Sequence, residues 1–216
     1  MKIYLLLFTL IFSLEALATD SIVKNKEELA SSIKAAKPGD VIILANGEWK
    51  NLEILFETNG TALQSITLKA EQKGKVVLTG ESNLRFAGNY LIVEGLVFKN
   101  GHSPTSELIS FKKDSKTLSN NCRLTEVVID NFNGFERYDV EAWVVLYGKN
   151  NRVDHCSFLN KRNQGVTLTV RLNSPESVQN NHLIDHNYFG PRQNLGSNGG
   201  ETLRIGTSHY SMMNSN

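Results

Sequence analysis

Apolar positions recur along this chain at a spacing of about thirty residues. Residues 90–98 (YLIVEGLVF), 123–129 (RLTEVVI), 152–158 (RVDHCSF) and 182–189 (HLIDHNYF) align on one pattern. Val93, Leu124, Val153 and Ile184 fall at one position of it, and Phe98, Ile129, Phe158 and Phe189 fall five residues later. Both series step by 31, 29 and 31 residues. An apolar pair repeated at that period marks a stacked solenoid, in which each unit buries its inner face only against its neighbours. The units are short, rich in β-branched and aromatic residues and bounded by Asn and Gly, so the repeating element is predicted to be strand. Further strands are predicted within residues 40–47, 66–70, 75–80, 142–148 and 165–172.

No helix separates these strands, which predicts an all-β, right-handed parallel β-helix; a β-sandwich would show hairpin turns between adjacent antiparallel strands. One helix stands apart, in NKEELASSIKAAKPGD. Asn25 is suited to cap it, Glu27 and Glu28 to its first turn, and Lys34 and Lys37 to its last. Leu29, Ile33 and Ala36 share one face, and Pro38-Gly39 ends it. Such a helix before the first coil caps the open end of a solenoid.

The remaining composition refines this picture. Lys2, an apolar run to Leu14 and Ala16-Leu17-Ala18 read as a signal peptide cleaved after Ala18, so the protein is expected to be secreted or periplasmic. The run is shorter than the roughly 20 apolar residues of a membrane span, and none is expected. Residues 19–216 then form one domain. Losing residues 1–18 removes one basic and one acidic residue, so the net charge stays at +1 and offers no footprint for nucleic acid. Cys122 and Cys156 lie about five residues out of register, roughly 16 Å along a strand. Disulfide partners need Cα atoms within about 7 Å, so two free thiols are predicted.

The segments KPGDVIIL, LYGKNNRVDHCSF, GVTLTVRL and above all SNGGETLRIGTS, in this order, resemble the family 6 polysaccharide lyases. These are parallel β-helix enzymes that include alginate lyases and the dermatan-cleaving chondroitinase B. The resemblance runs from about Asp20 to the end of the chain. It implies β-elimination on an anionic uronic-acid polysaccharide, with Ca²⁺ held by one Asn and two Glu, a Lys as base and an Arg as acid. Asn198 matches the family's Asn ligand. The Glu-x-Glu pair, the Lys and the Arg belong to later coils of the family pattern. The Lys base and the Arg acid are therefore expected beyond Asn216, and no catalytic residue is assigned within residues 1–216. Glu201 does not match the metal carboxylate by position. The close SHYSMMNSN offers no polar cap, and the expectation is a chain whose C-terminal coils are missing and which is inactive alone.

Each assignment has a plainer counterpart. Asn198-Gly199 is also a common turn dipeptide. Arg204 alternates with Leu203 and Ile205 and so faces outward where it could grip a uronate bidentately, or it is surface charge. Arg192 and Arg171 are weaker candidates for substrate contact. His155, His182 and His186 occupy repeat positions, where stacking explains them without a metal. Tyr147 could stack on a sugar, whereas Trp143 belongs to an apolar run and is expected to be packed. NGGET resembles the alginate branch, which implies poly-mannuronate as substrate; a dermatan or chondroitin lyase and a non-catalytic carbohydrate-binding β-helix are the alternatives.

Overall fold

The structure, a computed structural model, describes residues 19–193 and 199–206. The predicted signal peptide, Asn198 and the last residues of the chain, 207 to Asn216, lie outside the described residues. The expectation that the Lys base and the Arg acid follow Asn216 falls outside them too.

Three parallel sheets wind around one core. The first stacks Asp20–Val23, Val41–Leu44, Ile66–Ala70, Leu91–Glu94, Arg123–Thr125, Arg152–Asp154 and Leu183–Asp185. The second stacks Gly47–Lys50, Val76–Glu81, Val97–His102, Val128–Asp130, Ser157–Leu159 and Tyr188–Phe189. The third stacks Glu53–Asn59, Asn83–Asn89, Glu107–Ser110, Ala142–Leu146, Leu168–Val170 and Leu203–Ile205. From Val41 onward each coil passes through the sheets in that order, which makes the chain a parallel β-helix, as the repeat predicted.

The register matches the sequence alignment position by position. Val93, Leu124, Val153 and Ile184 are partners in the first sheet, and Phe98, Ile129, Phe158 and Phe189 in the second. The corner between those sheets is one left-handed residue per coil: Gly95, Glu126, His155 and His186, with φ of 75°, 57°, 55° and 54°. At the next corner the left-handed residues are Asn100, Asn131 and Asn160, and before the first sheet they include Asn121, Asn150 and Asn181. Asparagine tolerates this conformation better than most residues, which explains why the predicted turns are rich in it.

Inside, like stacks on like. The rings of Phe86 and Phe111 lie 4.4 Å apart, and Trp143 is fully buried, donating from its indole Nε1 to the Phe132 carbonyl at 2.6 Å. The helix is Lys26–Ala35; the Asn25 side chain accepts from the Glu28 amide at 2.8 Å, and Glu28 accepts from the Lys24 amide at 2.7 Å. These contacts satisfy two backbone donors at the helix start, and Leu29 and Ile33 seat the helix on the first coil. At the other end, Leu203 and Ile205 align with the buried Leu168 and Val170 yet are 45% and 68% exposed, since among the described residues the strand bearing them has a partner on one side only.

Three strands of the third sheet escaped the sequence reading: Glu53–Asn59, Asn83–Asn89 and Glu107–Ser110. In Asn83–Asn89 the inward Leu84 and Phe86 alternate with Asn83, Arg85 and Ala87 and are followed by Gly88, so polar and small residues interrupt the apolar set.

Cys122 immediately precedes its first-sheet strand and Cys156 follows the aligned strand, and both thiols are free and buried. Burial pushes each thiol up to about 12, and each sulfur lies against backbone carbonyls. A thiol held protonated and covered is a poor nucleophile. A disulfide-exchange reagent is therefore expected to titrate fewer than one thiol per chain in the native protein and both after denaturation.

Candidate active-site face

The outer face of the third sheet carries the candidate site. Its strand register aligns Arg85, Ser110, Val145, Thr169 and Arg204 in one outward row. Arg171 lies two residues beyond Thr169, on the same face by strand alternation. Arg171 and Arg204 line one cleft of about 300 Å³, together with Val140, Gln164 and Gly199. Two of the three arginines singled out in the sequence thus meet beside the corner that follows Asn198.

Each guanidinium is differently committed. Arg204 Nη2 donates to Glu201 Oε1 across one turn. Burial raises the Glu201 carboxyl, but the Arg204 hydrogen bond and the surrounding positive charge outweigh it and hold the group below the usual range. Arg171 approaches the Tyr147 phenol. Arg192 faces inward: Nη1 donates to Thr167 Oγ1 at 3.2 Å and the Glu201 carbonyl at 3.1 Å, and Nη2 to the carbonyls of Asn163 at 2.9 Å and Gly199 at 3.4 Å. Four bonds into two successive coils make Arg192 a staple for the 199–201 corner, with burial pulling its pKa down. Gly199 itself has φ of 95° and receives the Gly165 amide on its carbonyl at 2.9 Å, so the corner is tied to the coil below by backbone as well.

The floor of this face is a polar network. The Tyr147 hydroxyl donates to Glu107 Oε1 at 2.6 Å, Ser110 Oγ donates to Glu107 Oε2 at 2.6 Å, and the Lys112 ammonium sits 3.8 Å above the Tyr147 ring. Burial, then the Glu107 hydrogen bond, raises the Tyr147 phenol well above its ordinary value. Covered by Lys112 and 5% exposed, Tyr147 supports the sheet face and is not open to stack on a sugar.

Beneath the corner lies a pair the sequence did not reveal. Lys161 Nζ donates to the Glu141 carbonyl at 2.7 Å and to Asn163 Oδ1 at 2.9 Å, and lies 4.9 Å from the centre of the Trp143 ring. Both charged side chains are buried, at 4% exposure for Glu141 and 3% for Lys161, and burial raises the Glu141 carboxyl and lowers the Lys161 ammonium. Glu141 precedes an apolar strand and Lys161 sits in the polar run NKRNQG, so neither carried a periodic signal.

The histidines are explained by the repeat. His155 and His186 stack with ring centres 5.0 Å apart, and each ring contacts the preceding aspartate, Asp154 or Asp185, through Nδ1 at 2.7 Å. His182 Nδ1 accepts from the Asn151 amide at 3.1 Å, and burial lowers its pKa to about 4. Among the described residues, no three His, Cys, Asp or Glu side chains gather as a metal site, and no helix is long and apolar enough to cross a membrane.

A family model described as Chondroitinase B matches residues 23–216. A PL6 family alginate lyase, AlyGC, superposes with a TM-score of 0.86 at 56% identity, over 88% of this chain and 26% of that one. A mannuronic acid specific family 6 lyase from human gut microbiota gives 0.82 at 36% identity, over 88% and 44%. The PL6 polysaccharide lyase Pedsa3628 from Pseudopedobacter saltans gives 0.77 at 37% identity, over 86% and 41%. No curated protein matches. The chain thus spans between about a quarter and less than half the length of these structures. The match to the family model covers nearly the whole chain, and the protein belongs to the chondroitinase B family.

Proposed function

We propose that the complete protein is an exported, Ca²⁺-dependent lyase that cleaves a uronic-acid polymer by β-elimination, with poly-mannuronate alginate as the preferred substrate. One observation carries the reading: Arg171 and Arg204 front a single cleft on the outer sheet face, beside the corner next to Asn198. Two guanidiniums at such a cleft match planar carboxylates repeated along a polymer. The 56% and 36% identity to proteins described as alginate and mannuronate lyases supports alginate over dermatan.

The donor chemistry suits calcium. The Asn198 carboxamide offers a hard oxygen of the kind Ca²⁺ prefers, and Glu201 Oε2, nearby in sequence, is buried with no hydrogen-bond partner among the described residues. Ca²⁺ takes six to eight oxygens, so Asn198 would be one ligand among several. Bound to the substrate carboxylate, the ion would offset the charge that builds up when the C5 proton leaves. The described residues bind and orient. Arg204 keeps the donors that Glu201 does not use for a uronate, Arg171 adds a second positive charge along the cleft, and Arg192 fixes the backbone of the corner. We assign no proton-transfer residue up to Asn216, and place the Lys base and the Arg acid beyond it.

The polymer is identified by offering the complete gene product mannuronate-rich alginate, guluronate-rich alginate and dermatan sulfate, and following the ultraviolet absorbance of the new C4–C5 double bond. The fastest rise is expected with mannuronate-rich alginate. A response confined to dermatan sulfate would transfer the assignment to the glycosaminoglycan branch.

A further inference from the structure

A second groove of about 640 Å³ runs along the corner between the second and third sheets. Its lining comes from five successive coils, through Asn51, Glu81, Gly101, Asn131 and Arg162, so it extends about 19 Å at ~4.8 Å per coil. Its floor is held low by small residues. A Cβ on Gly101 would fall 2.3 Å from the Gly80 carbonyl oxygen and 2.6 Å from the Phe132 ring, so any side chain there would push the coils apart.

The groove's chemistry is that of a sugar site. Phe135 is 82% exposed, which is unusual for a phenylalanine, and its ring lies against His102, tilted at 59° with centres 4.4 Å apart. A ring held by a neighbouring side chain yet largely exposed is a platform for the apolar face of a pyranose. The carboxamides of Asn100 and Asn131 form a rung, with Asn131 Nδ2 donating to Asn100 Oδ1 at 2.8 Å, and Asn133 Oδ1 accepts from the Arg162 amide at 2.8 Å. That bond seats the exposed Arg162 at one end. Glu81 lies toward the other, one coil in from Asn51 and 3.7 Å from His102 Nε2, where it can accept from sugar hydroxyls. Aromatic face, amides, carboxylate and guanidinium together suit a polymer with both hydroxyls and carboxylates.

The groove also lies next to the cleft. Phe135 and Val140 stand on one connection, residues 131–141, with Phe135 in the groove and Val140 in the cleft bearing Arg171 and Arg204. We propose that this corner groove is a second carbohydrate track that holds an outlying stretch of the same anionic polysaccharide; the polymer's identity rests on the function proposed above. Binding at two linked sites raises the effective affinity for a long chain and leaves a short one unaffected.

The test uses the complete gene product with Phe135→Ala, Phe135→Tyr and Arg162→Ala. Phe135 and Arg162 are exposed, so the fold should tolerate their loss. Phe135→Ala and Arg162→Ala are expected to raise KM for long alginate about five- to tenfold, with kcat, tetrasaccharide kinetics and the unfolding midpoint unchanged. Phe135→Tyr should restore KM. In parallel, retardation in native gels containing alginate, dermatan sulfate or neutral dextran reads binding without turnover. Anionic retardation lost in Phe135→Ala, in a protein that cleaves nothing, would sustain the groove and refute the lyase reading. Cleavage with KM and retardation unchanged in both alanine variants would overturn the groove, as would a wild type that none of the three polymers retards.

Discussion

Asp154→Asn should lower the thermal unfolding midpoint of the chain by about 6–12 °C. Asp154 is 0% exposed, and Arg123 clamps it bidentately at 2.7 and 2.5 Å, while the His155 ring contacts it at 2.7 Å and Arg152 approaches to 3.6 Å. The isosteric amide removes the charge and leaves two guanidiniums facing it. Breaking a buried ion pair costs about 3–5 kcal/mol, and the lower end applies because the Arg123 side chain is 39% exposed. About 3 kcal/mol corresponds to the stated shift for a domain of this size. Burial alone would raise the Asp154 carboxyl, but the Arg123 and His155 bonds hold it below its ordinary value. A carboxylate depressed on folding stabilises fully above its unfolded pKa of about 3.9 and loses that contribution as pH falls through the folded value. The gap between the wild type and Asp154→Asn should therefore be full at neutral pH and narrow below about pH 4. Scanning calorimetry across this range checks both statements. A gap that stays constant down to pH 2 would show that Asp154 acts through packing and not through its charge.

Asn198→Ala in the complete gene product should lower kcat by about 10²-fold or more, the scale seen when one group that stabilises transition-state charge is removed. Calcium should also cease to raise the unfolding midpoint at concentrations that saturate the wild type, since a ligand stabilises only the form that binds it. Arg204→Ala should behave differently. Losing a charge-assisted contact to substrate should raise KM about tenfold and leave the calcium-induced shift intact. This contrast separates a metal ligand from a substrate clamp. Equal losses of kcat in both variants, with the calcium response preserved in both, would remove Asn198 from the metal site.

The sequence disclosed the coil because two sheets of the solenoid bury one residue at a fixed point in every turn. Val93, Leu124 and Val153 had to be apolar and had to recur, so their spacing alone set the register. The third sheet was harder to read. Its outer row sets Arg85, Ser110 and Thr169 beside Val145 and Arg204, so apolar alternation is interrupted there. The candidate site was legible only in part for the same reason. Arg204 stands out as a charge inside a strand, where alternation places it, and Arg171 as a charge at the end of one. The loop position of Arg192 marks it as a candidate, but its hydrogen bonds to Thr167, Asn163, Gly199 and Glu201 depend on how coils stack and leave no mark in the sequence. Glu141 and Lys161 were invisible because a buried charged pair reads as two ordinary surface residues until the fold brings them together.

The most direct measurement is formation of the unsaturated uronate when the complete gene product meets alginate, made before chelation, after chelation and after calcium is restored. Product should form with calcium, cease when the ion is removed and resume when calcium alone is returned. Product formed at the same rate after chelation, or none in any condition, would contradict calcium-dependent elimination as the chemistry of this protein.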